Sequence, residues 1–169
     1  YAEMAVTTMM PMAHLTWSGV WLGIALDAVN TARRYLRTQA RKTPGKVPQQ
    51  APDVAQLYAR YEAIKATHEH AMQDYQAMLD QYPDHESRLT AMGAPSFNLR
   101  LLMLKTTMSE EVLRIVQLAM HVCGIAAYSN ITPFSLGRHL RDAHSAPLMV
   151  HNERVFGNAG ALLCIYKES

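Results

Sequence analysis

Residues that break helices or favour strands are scarce in this sequence. Glycine and proline together supply 16 of 169 positions, and valine, isoleucine and threonine together supply 27. Alanine, leucine and methionine, which are strong helix formers, supply 52 positions. Since β-branched residues favour strands and these three favour helices, the balance argues against a β-sandwich or barrel. It predicts an all-α domain.

Cysteine and excess charge are scarce as well. The cysteines are Cys123 and Cys164, both in apolar surroundings, so we expect two buried free thiols, no zinc site and a reducing, cytoplasmic location. Lysine and arginine exceed aspartate and glutamate by a formal net charge of +2. So small an excess gives no reason to expect nucleic acid or an acidic membrane surface as a partner.

The sequence also lacks a dense apolar run of membrane-spanning length. The longest stretch without an acidic residue, lysine or arginine covers residues 4–26, but it contains Pro11, His14 and Ser18. We interpret it as part of a buried helix and expect no membrane span. A chain of 169 residues is long enough for one domain with a core of its own.

Apolar residues recur at spacings of three and four through most of the chain, which is the periodicity of helices. The predicted helices cover residues 12–41, 53–81, 96–122, 134–144 and 148–166. We expect Pro44-Gly45 to end the first, Asp53 and Ser96 to cap the second and third, and residues 84–94 to form a polar loop. The pattern predicts an antiparallel four-helix bundle with an extra short helix before the last helix.

No metal site and no nucleotide or hydrolase motif is evident. His68 and His70 are two residues apart, which places them about 200° apart around a helix, so they cannot readily share one ion. We interpret both as part of a solvated face. The sequence contains no Gly-x-Ser-x-Gly, Walker or Gly-x-Gly-x-x-Gly motif.

The first predicted helix is apolar around most of its circumference, and Gly19 and Gly23 lie on one face of it. Glycines four residues apart allow a neighbouring helix to approach closely. Because that much apolar surface needs more partners than one bundle provides, we expect the chain to form a homo-oligomer, either a dimer or a tetramer.

Four short stretches, taken in order, resemble the C-terminal helical domain of the acyl-CoA dehydrogenase superfamily, which includes related flavin monooxygenases. The resemblance covers residues 12–163. The four stretches are Gly23-Ile24-Ala25 with the later Tyr35, Arg41-Lys42-Thr43-Pro44-Gly45, Cys123-Gly124-Ile125-Ala126 and Arg141-Asp142-Ala143. Pro44 replaces the usual phenylalanine, and residues 123–126 are an eroded form of a Gly-Gly-x-Gly turn.

The resemblance implies a homotetrameric flavoprotein that uses FAD to oxidise acyl thioesters, carried on CoA or on a carrier protein. This domain is then expected to supply the tetramer core, one wall of the acyl pocket and part of the FAD site. Arg41, Thr43 and Asn152 fall at positions implied to bind FAD, and a guanidinium suits a phosphate. Arg141 and Asp142 form the structural motif.

The same resemblance exposes a departure at the catalytic base. The usual glutamate position falls on Met149 or Val150, and a second subgroup places its glutamate at Ala13. None of these side chains can accept a proton. His151 is the nearest candidate base, since imidazole has a suitable pKa. His14 stands where the family has an arginine that binds the CoA part of the substrate, and so is the candidate substrate-binding residue.

Three interpretations remain open at this stage. The chain is a domain of a larger flavin-dependent acyl-thioester oxidoreductase, a non-catalytic oligomerisation or scaffold module derived from that family, or an unrelated four-helix bundle. The missing glutamate favours the module, whereas the retained Arg41 and Arg141-Asp142 favour the enzyme. The parts of the family's enzymes that surround the flavin ring are not contained in these 169 residues.

We therefore predict that the 169-residue chain alone is inactive and binds FAD weakly. The measurement is a fluorescence titration of FAD with the purified chain. A yellow, stoichiometric FAD complex that survives gel filtration would contradict the prediction.

Overall fold

The computed structural model describes residues 2–165, and every regular element within that range is a helix. Two short elements precede the first long helix. The elements are α1 (Ala2–Met4), a π-helical turn (Ala5–Met9), α2 (Met10–Lys42), α3 (Ala51–Gln81), α4 (His85–Gly93), α5 (Pro95–Cys123), α6 (Ile125–Tyr128), α7 (Gly137–Leu148) and α8 (Asn152–Ile165). The predicted all-α class is confirmed.

Helix α4 lies within the segment that the sequence predicted to be a loop. Asp84 caps it, because its Oδ1 accepts a hydrogen bond from the backbone N–H of Ser87 at 2.9 Å. Arg88 donates from Nε to the carbonyl of Tyr82 at 3.0 Å, which ties the first turn to the chain before it. The prediction failed because the segment is too short and polar to show a clear apolar period.

Two predicted caps are wrong. Asp53 and Ser96 lie inside the first turns of α3 and α5, and the residues that precede these helices are Gln50 and Ala94. In both helices a proline stands in the first turn, where its missing N–H costs no intrahelical hydrogen bond.

The last two helices are displaced from their predicted positions. The short helix was expected over residues 134–144 and is α7, residues 137–148. The last helix was expected to begin at Leu148 and begins at Asn152 instead. A non-helical turn, residues 149–151, separates the two, and the predicted last residue Tyr166 lies outside the described range.

Side-chain contacts give the helix directions. His68 of α3 contacts Leu15 near the start of α2, whereas Tyr58 of α3 lies under Arg33, further along α2. These two helices are therefore antiparallel. Helices α3 and α5 are antiparallel too, because Arg60 pairs with Glu111 at 3.0 Å and Asp74 with Arg100 at 3.7 Å. It follows that α2 and α5 run parallel, as the first and third helices of an up-and-down bundle do.

Helix α5 is the centre of the core. Fourteen of its 29 residues are buried, and α2, α3, α7 and α8 all pack against it. On the facing side of α2, Ala25, Ala28 and Ala32 are 0% exposed. Alanines on this face let the two helix backbones approach closely. Gly124, with φ of +58°, ends α5 in a conformation that favours glycine.

Gly19 and Gly23 have different surroundings despite their common face. A methyl group added at Gly19 would lie 3.3 Å from Nε2 of His68, so this glycine makes room for the imidazole. His68 is half-buried there rather than solvated as predicted, whereas His70 is exposed. Gly23 has no atom within 4 Å of the same added methyl group. Self-association through the face around Gly23 stays a prediction.

We expect Gly23→Ala to stabilise the domain by about 0.5–1 kcal/mol, because alanine has the higher helix propensity and its methyl group meets nothing. Gly19→Ala is the matched variant and should gain less, since the His68 ring must shift. The free energies of unfolding come from urea titrations followed by circular dichroism. A loss of stability in Gly23→Ala would show that another chain covers Gly23 in solution.

Candidate functional site

A cluster of polar side chains is buried between α5 and α8, close to the point where the start of α2 packs on α5. Lys105 of α5 has no exposed surface, and its Nζ donates a hydrogen bond to Oδ1 of Asn152 at 2.5 Å. Ser109, one turn further along α5, is also 0% exposed and lies 3.1 Å from Nδ2 of Asn152. Asn152 is the first residue of α8. The three side chains therefore form one network that joins α8 to α5.

Helical spacing explains why the network forms. Lys105 and Ser109 are four residues apart, so they lie on the same face of α5. Lys105 directly follows an apolar run of α5, in which leucines 101, 102 and 104 are buried. The same burial lowers the pKa of Lys105, while the negative charge of Glu110 opposes the shift.

His14 approaches the cluster from α2. It is 5% exposed, and its Nδ1 lies 3.1 Å from the carbonyl oxygen of Leu101. Because a carbonyl only accepts, Nδ1 carries the proton. Burial lowers the pKa of His14, and the charge of Lys105 lowers it further, whereas the hydrogen bond to Leu101 raises it. The predicted substrate-binding residue thus faces the interior of this chain.

The turn between α7 and α8 contains the predicted base positions. Val150 and His151 have φ angles of +59° and +44°, which are left-handed values for residues other than glycine. For a β-branched residue such as Val150 this conformation is strained, and it persists only where the surroundings hold it. Met149, Val150 and His151 are all exposed. Backbone hydrogen bonds close the turn, including His151 N–H to the carbonyl of Leu148 at 3.1 Å.

The two alternative base positions are 136 or more residues apart in sequence, yet the same buried cluster lies next to both. Ala13 precedes His14, and Val150 lies two residues before Asn152. Lys105 is near both neighbours, since it bonds Asn152 and lies one helical turn from Leu101, whose carbonyl is bonded to His14. Lys105 was not predicted from the sequence, although a lysine directly after the apolar residues 101–104 of a predicted helix was a signal that could have pointed to it.

The predicted FAD-binding residues do not all lie together. Arg41 and Thr43 are exposed at the end of α2, about 40 Å along the helix from His14. Asn152 belongs instead to the buried cluster. No ion pair engages Arg41 within the described residues, so its guanidinium is available, and its bidentate geometry fits a phosphate group.

The Gly23-Ile24-Ala25 stretch and the Arg141-Asp142 stretch meet at one cleft. The cleft has a volume of about 430 Å³, and Gly23, Ile24, Asp27, His139 and Asp142 are among the residues that line it. His139 Nε2 lies 2.7 Å from Oδ2 of Asp27, which ties α7 to α2. Sequence reasoning missed this pair, because 112 residues separate its members.

Arg141 itself makes only a weak contact. Its Nε lies 3.8 Å from Oδ1 of Asp142, and its side chain is 79% exposed. Arg138 lies 3.6 Å from the other oxygen of the same carboxylate and is 84% exposed. Ion pairs so exposed stabilise a protein by about 1 kcal/mol or less. The structural role expected for Arg141 and Asp142 stays a prediction.

The cysteines differ from each other. Cys123 is buried as predicted, and burial raises the pKa of its thiol to about 11. Cys164 is exposed, so the expectation of two buried thiols is wrong. Among the described residues no three histidine, cysteine, aspartate or glutamate side chains are grouped to hold a metal ion. None of the described helices combines the length and the apolar character needed to cross a membrane.

Comparisons with known proteins agree with the resemblance. The model of the acyl-CoA dehydrogenase C-terminal domain family matches residues 4–149, so the chain belongs to this family. A stretch of 44 residues is 52% identical to the dibenzothiophene monooxygenase of Mycolicibacterium goodii. That match covers 25% of this chain and 11% of the monooxygenase. No solved structure matches the chain.

Acid should destabilise the domain because His14 and His68 are held neutral in the fold. Burial puts both pKa values below the ordinary imidazole value of about 6.5. The unfolded chain therefore binds more protons than the folded chain as the pH falls below that value. Stability is lost there, and the loss levels off below the folded-state pKa values.

His14→Asn keeps an N–H donor near the position of Nδ1 but cannot titrate. The drop in unfolding free energy between pH values of about 7.5 and 5, measured by urea titration, should be smaller than in the wild type. His70→Asn changes an exposed histidine of α3 and serves as the matched control. An undiminished drop in His14→Asn would show that His14 is not a source of the acid sensitivity.

Proposed function

We propose that this chain is the helical C-terminal domain of a flavin-dependent oxidoreductase whose reaction is an oxygenation. Its membership of the acyl-CoA dehydrogenase C-terminal domain family supports the flavin dependence. Its likeness to a monooxygenase supports the oxygenation. The observation that carries the choice is the absence of a carboxylate at positions 13, 149 and 150, where the family's dehydrogenases hold their base.

Dehydrogenation of an acyl thioester begins with removal of a proton from the carbon next to the carbonyl. The base must reach that proton within about 3 Å. Met149, Val150 and Ala13 have no acid–base chemistry, so His151 is the one residue of the turn that could remove it. Dehydrogenation of an acyl thioester, with His151 as the base, therefore depends on a single exposed imidazole and is the less favoured reaction.

An oxygenation makes a different demand on this domain. FAD, when bound, supplies the redox chemistry, and no carboxylate base is needed to begin. The protein must provide hydrogen-bond donors that orient a polar substrate and groups that move protons. Lys105, Ser109, Asn152 and His14 are polar groups beside the turn, but they are buried or half-buried and bonded to one another or to the backbone, so their proposed part is to support the turn rather than to touch the substrate. Arg41 and Thr43 are the proposed phosphate contacts of FAD.

Association with other copies of the chain is part of this proposal. Ile125, Tyr128 and Ile131 lie around the short helix α6 and are 82%, 74% and 94% exposed. Large apolar side chains so exposed and so close in sequence favour an interface. The same observation supports the second candidate function, a non-catalytic oligomerisation or scaffold module derived from the family.

The complete gene product that contains this chain should transfer oxygen from O₂ to a substrate. The assay supplies FAD, a flavin reductase with NADH, and ¹⁸O₂, with dibenzothiophene and an acyl-CoA as alternative substrates. We expect ¹⁸O in an organic product, detected by mass spectrometry, and no enoyl thioester. A dehydrogenase would instead form the enoyl thioester with an artificial electron acceptor and without O₂. A module would bind no FAD and catalyse neither reaction.

Two substitutions connect this assay to the turn. The proposed oxygenation needs no base at the turn, so His151→Ala should leave its rate unchanged. If the protein is instead a dehydrogenase with His151 as its base, the same substitution should abolish formation of the enoyl thioester. Met149→Glu restores a carboxylate at the family's usual position. Enoyl thioester formed only by that variant would show that the turn faces the substrate in the expected register.

A further inference from the structure

Lys105 is the only lysine, arginine, aspartate or glutamate among the described residues that is classed as buried. Its hydrogen bond to Asn152 joins the ammonium to a neutral amide oxygen. Within the described residues no carboxylate lies within ion-pair distance of Nζ. The positive charge is thus removed from water with no carboxylate of the described residues in direct contact, and Glu110 acts on it only from a greater distance.

A buried charge without a counter-ion generally lowers stability. Replacing buried charged groups by apolar residues of similar size is often neutral or stabilising. The aliphatic stem of Lys105 lies next to the buried leucines 101, 102 and 104 of α5, and a methionine could take its place. Core packing therefore does not require an ammonium group at this position, and another role must account for it.

The partner of Lys105 points to that role. Asn152 directly follows the left-handed residues Val150 and His151. A strained turn keeps its conformation only when the residues on either side are fixed. Apart from the polar network, a small apolar cluster holds α8 on α5, and its buried members are Leu102, Val155 and Ala159. The network thus anchors the end of α8 that adjoins the turn.

We propose that Lys105 is a positioning residue, which fixes the turn of residues 149–151 through its hydrogen bond to Asn152. Ser109 contributes because its Oγ accepts a hydrogen bond from Nδ2 of Asn152 at 3.1 Å. The relevance of the turn to a reaction rests on the proposed function. The claim that Lys105 holds the turn rests on the geometry alone.

The test measures hydrogen exchange of backbone amides in the 169-residue chain. The amides of Met149, His151 and Val155 are reporters, because each donates a backbone hydrogen bond in or beside the turn. In Lys105→Met these amides should exchange at least tenfold faster, while amides in the middle of α5 keep their wild-type rates. The melting temperature should be equal to or higher than that of the wild type. Lys46→Met, in an exposed loop, is the matched control and should change neither the exchange rates of these amides nor the melting temperature.

Asn152→Ala provides a second route to the same result. It removes the acceptor, leaves Lys105 in place and should speed exchange at the same three amides. If Lys105→Met fails to fold, this variant decides the outcome. The proposal is overturned if Lys105→Met folds and the turn amides exchange at their wild-type rates. If Lys105→Met does not fold, wild-type exchange rates in Asn152→Ala overturn it. A general rise in exchange across α5, which indicates a merely structural role, also overturns it.

Activity separates this proposal from the proposed function. In an active complete gene product, Lys105→Met should lower kcat at least tenfold with little change in KM, because the turn is misplaced while substrate contacts remain. An unchanged kcat together with faster exchange would overturn the positioning role in the reaction. An inactive wild type would refute the proposed function, and the exchange experiment would still decide whether Lys105 holds the turn.

Discussion

The burial of α5 among the other helices is the constraint on which this structure depends. α5 contributes buried side chains along its length, from Phe97 near its start to Cys123 at its end. Helices α2, α3, α7 and α8 all pack against it. Because apolar surface removed from water is the main source of stability, the other helices take their positions from the faces of α5. A helix so enclosed leaves little room for polar groups.

The buried polar side chains of α5 are concentrated in one place. Lys105, Thr106 and Ser109 are buried within two turns, and α8 begins directly over them. Such a cluster is unfavourable for the core unless every member is bonded, and among the described residues Lys105 is bonded to a neutral amide rather than to a carboxylate. Proteins often retain local arrangements of this kind at functional sites, and on this physical basis we propose that the cluster and the strained turn beside it belong to one site.

Family membership and geometry support different parts of the account. The family match covers the bundle as far as Met149, which is the first residue of the turn. The rest of the turn and α8 lie beyond the residues that the family matches. In that part of the chain, the hydrogen bonds of Asn152 to α5 are the relevant observation. The monooxygenase match covers a quarter of the chain. It favours oxygenation but assigns no residue.

The sequence by itself determined the helical class, the approximate extent of α2, α3 and α5, and the family. These depend on local composition, on periodicity and on short motifs, which are all properties of neighbouring residues. It could not reveal α4, whose cap at Asp84 is a local hydrogen bond in a segment without a clear apolar period. Only the tertiary structure decided that His14 faces inward, that His68 lies between helices and that Lys105 joins Asn152. Those facts depend on which helix faces meet, and contacts between residues 47 to 87 positions apart leave no trace in local pattern.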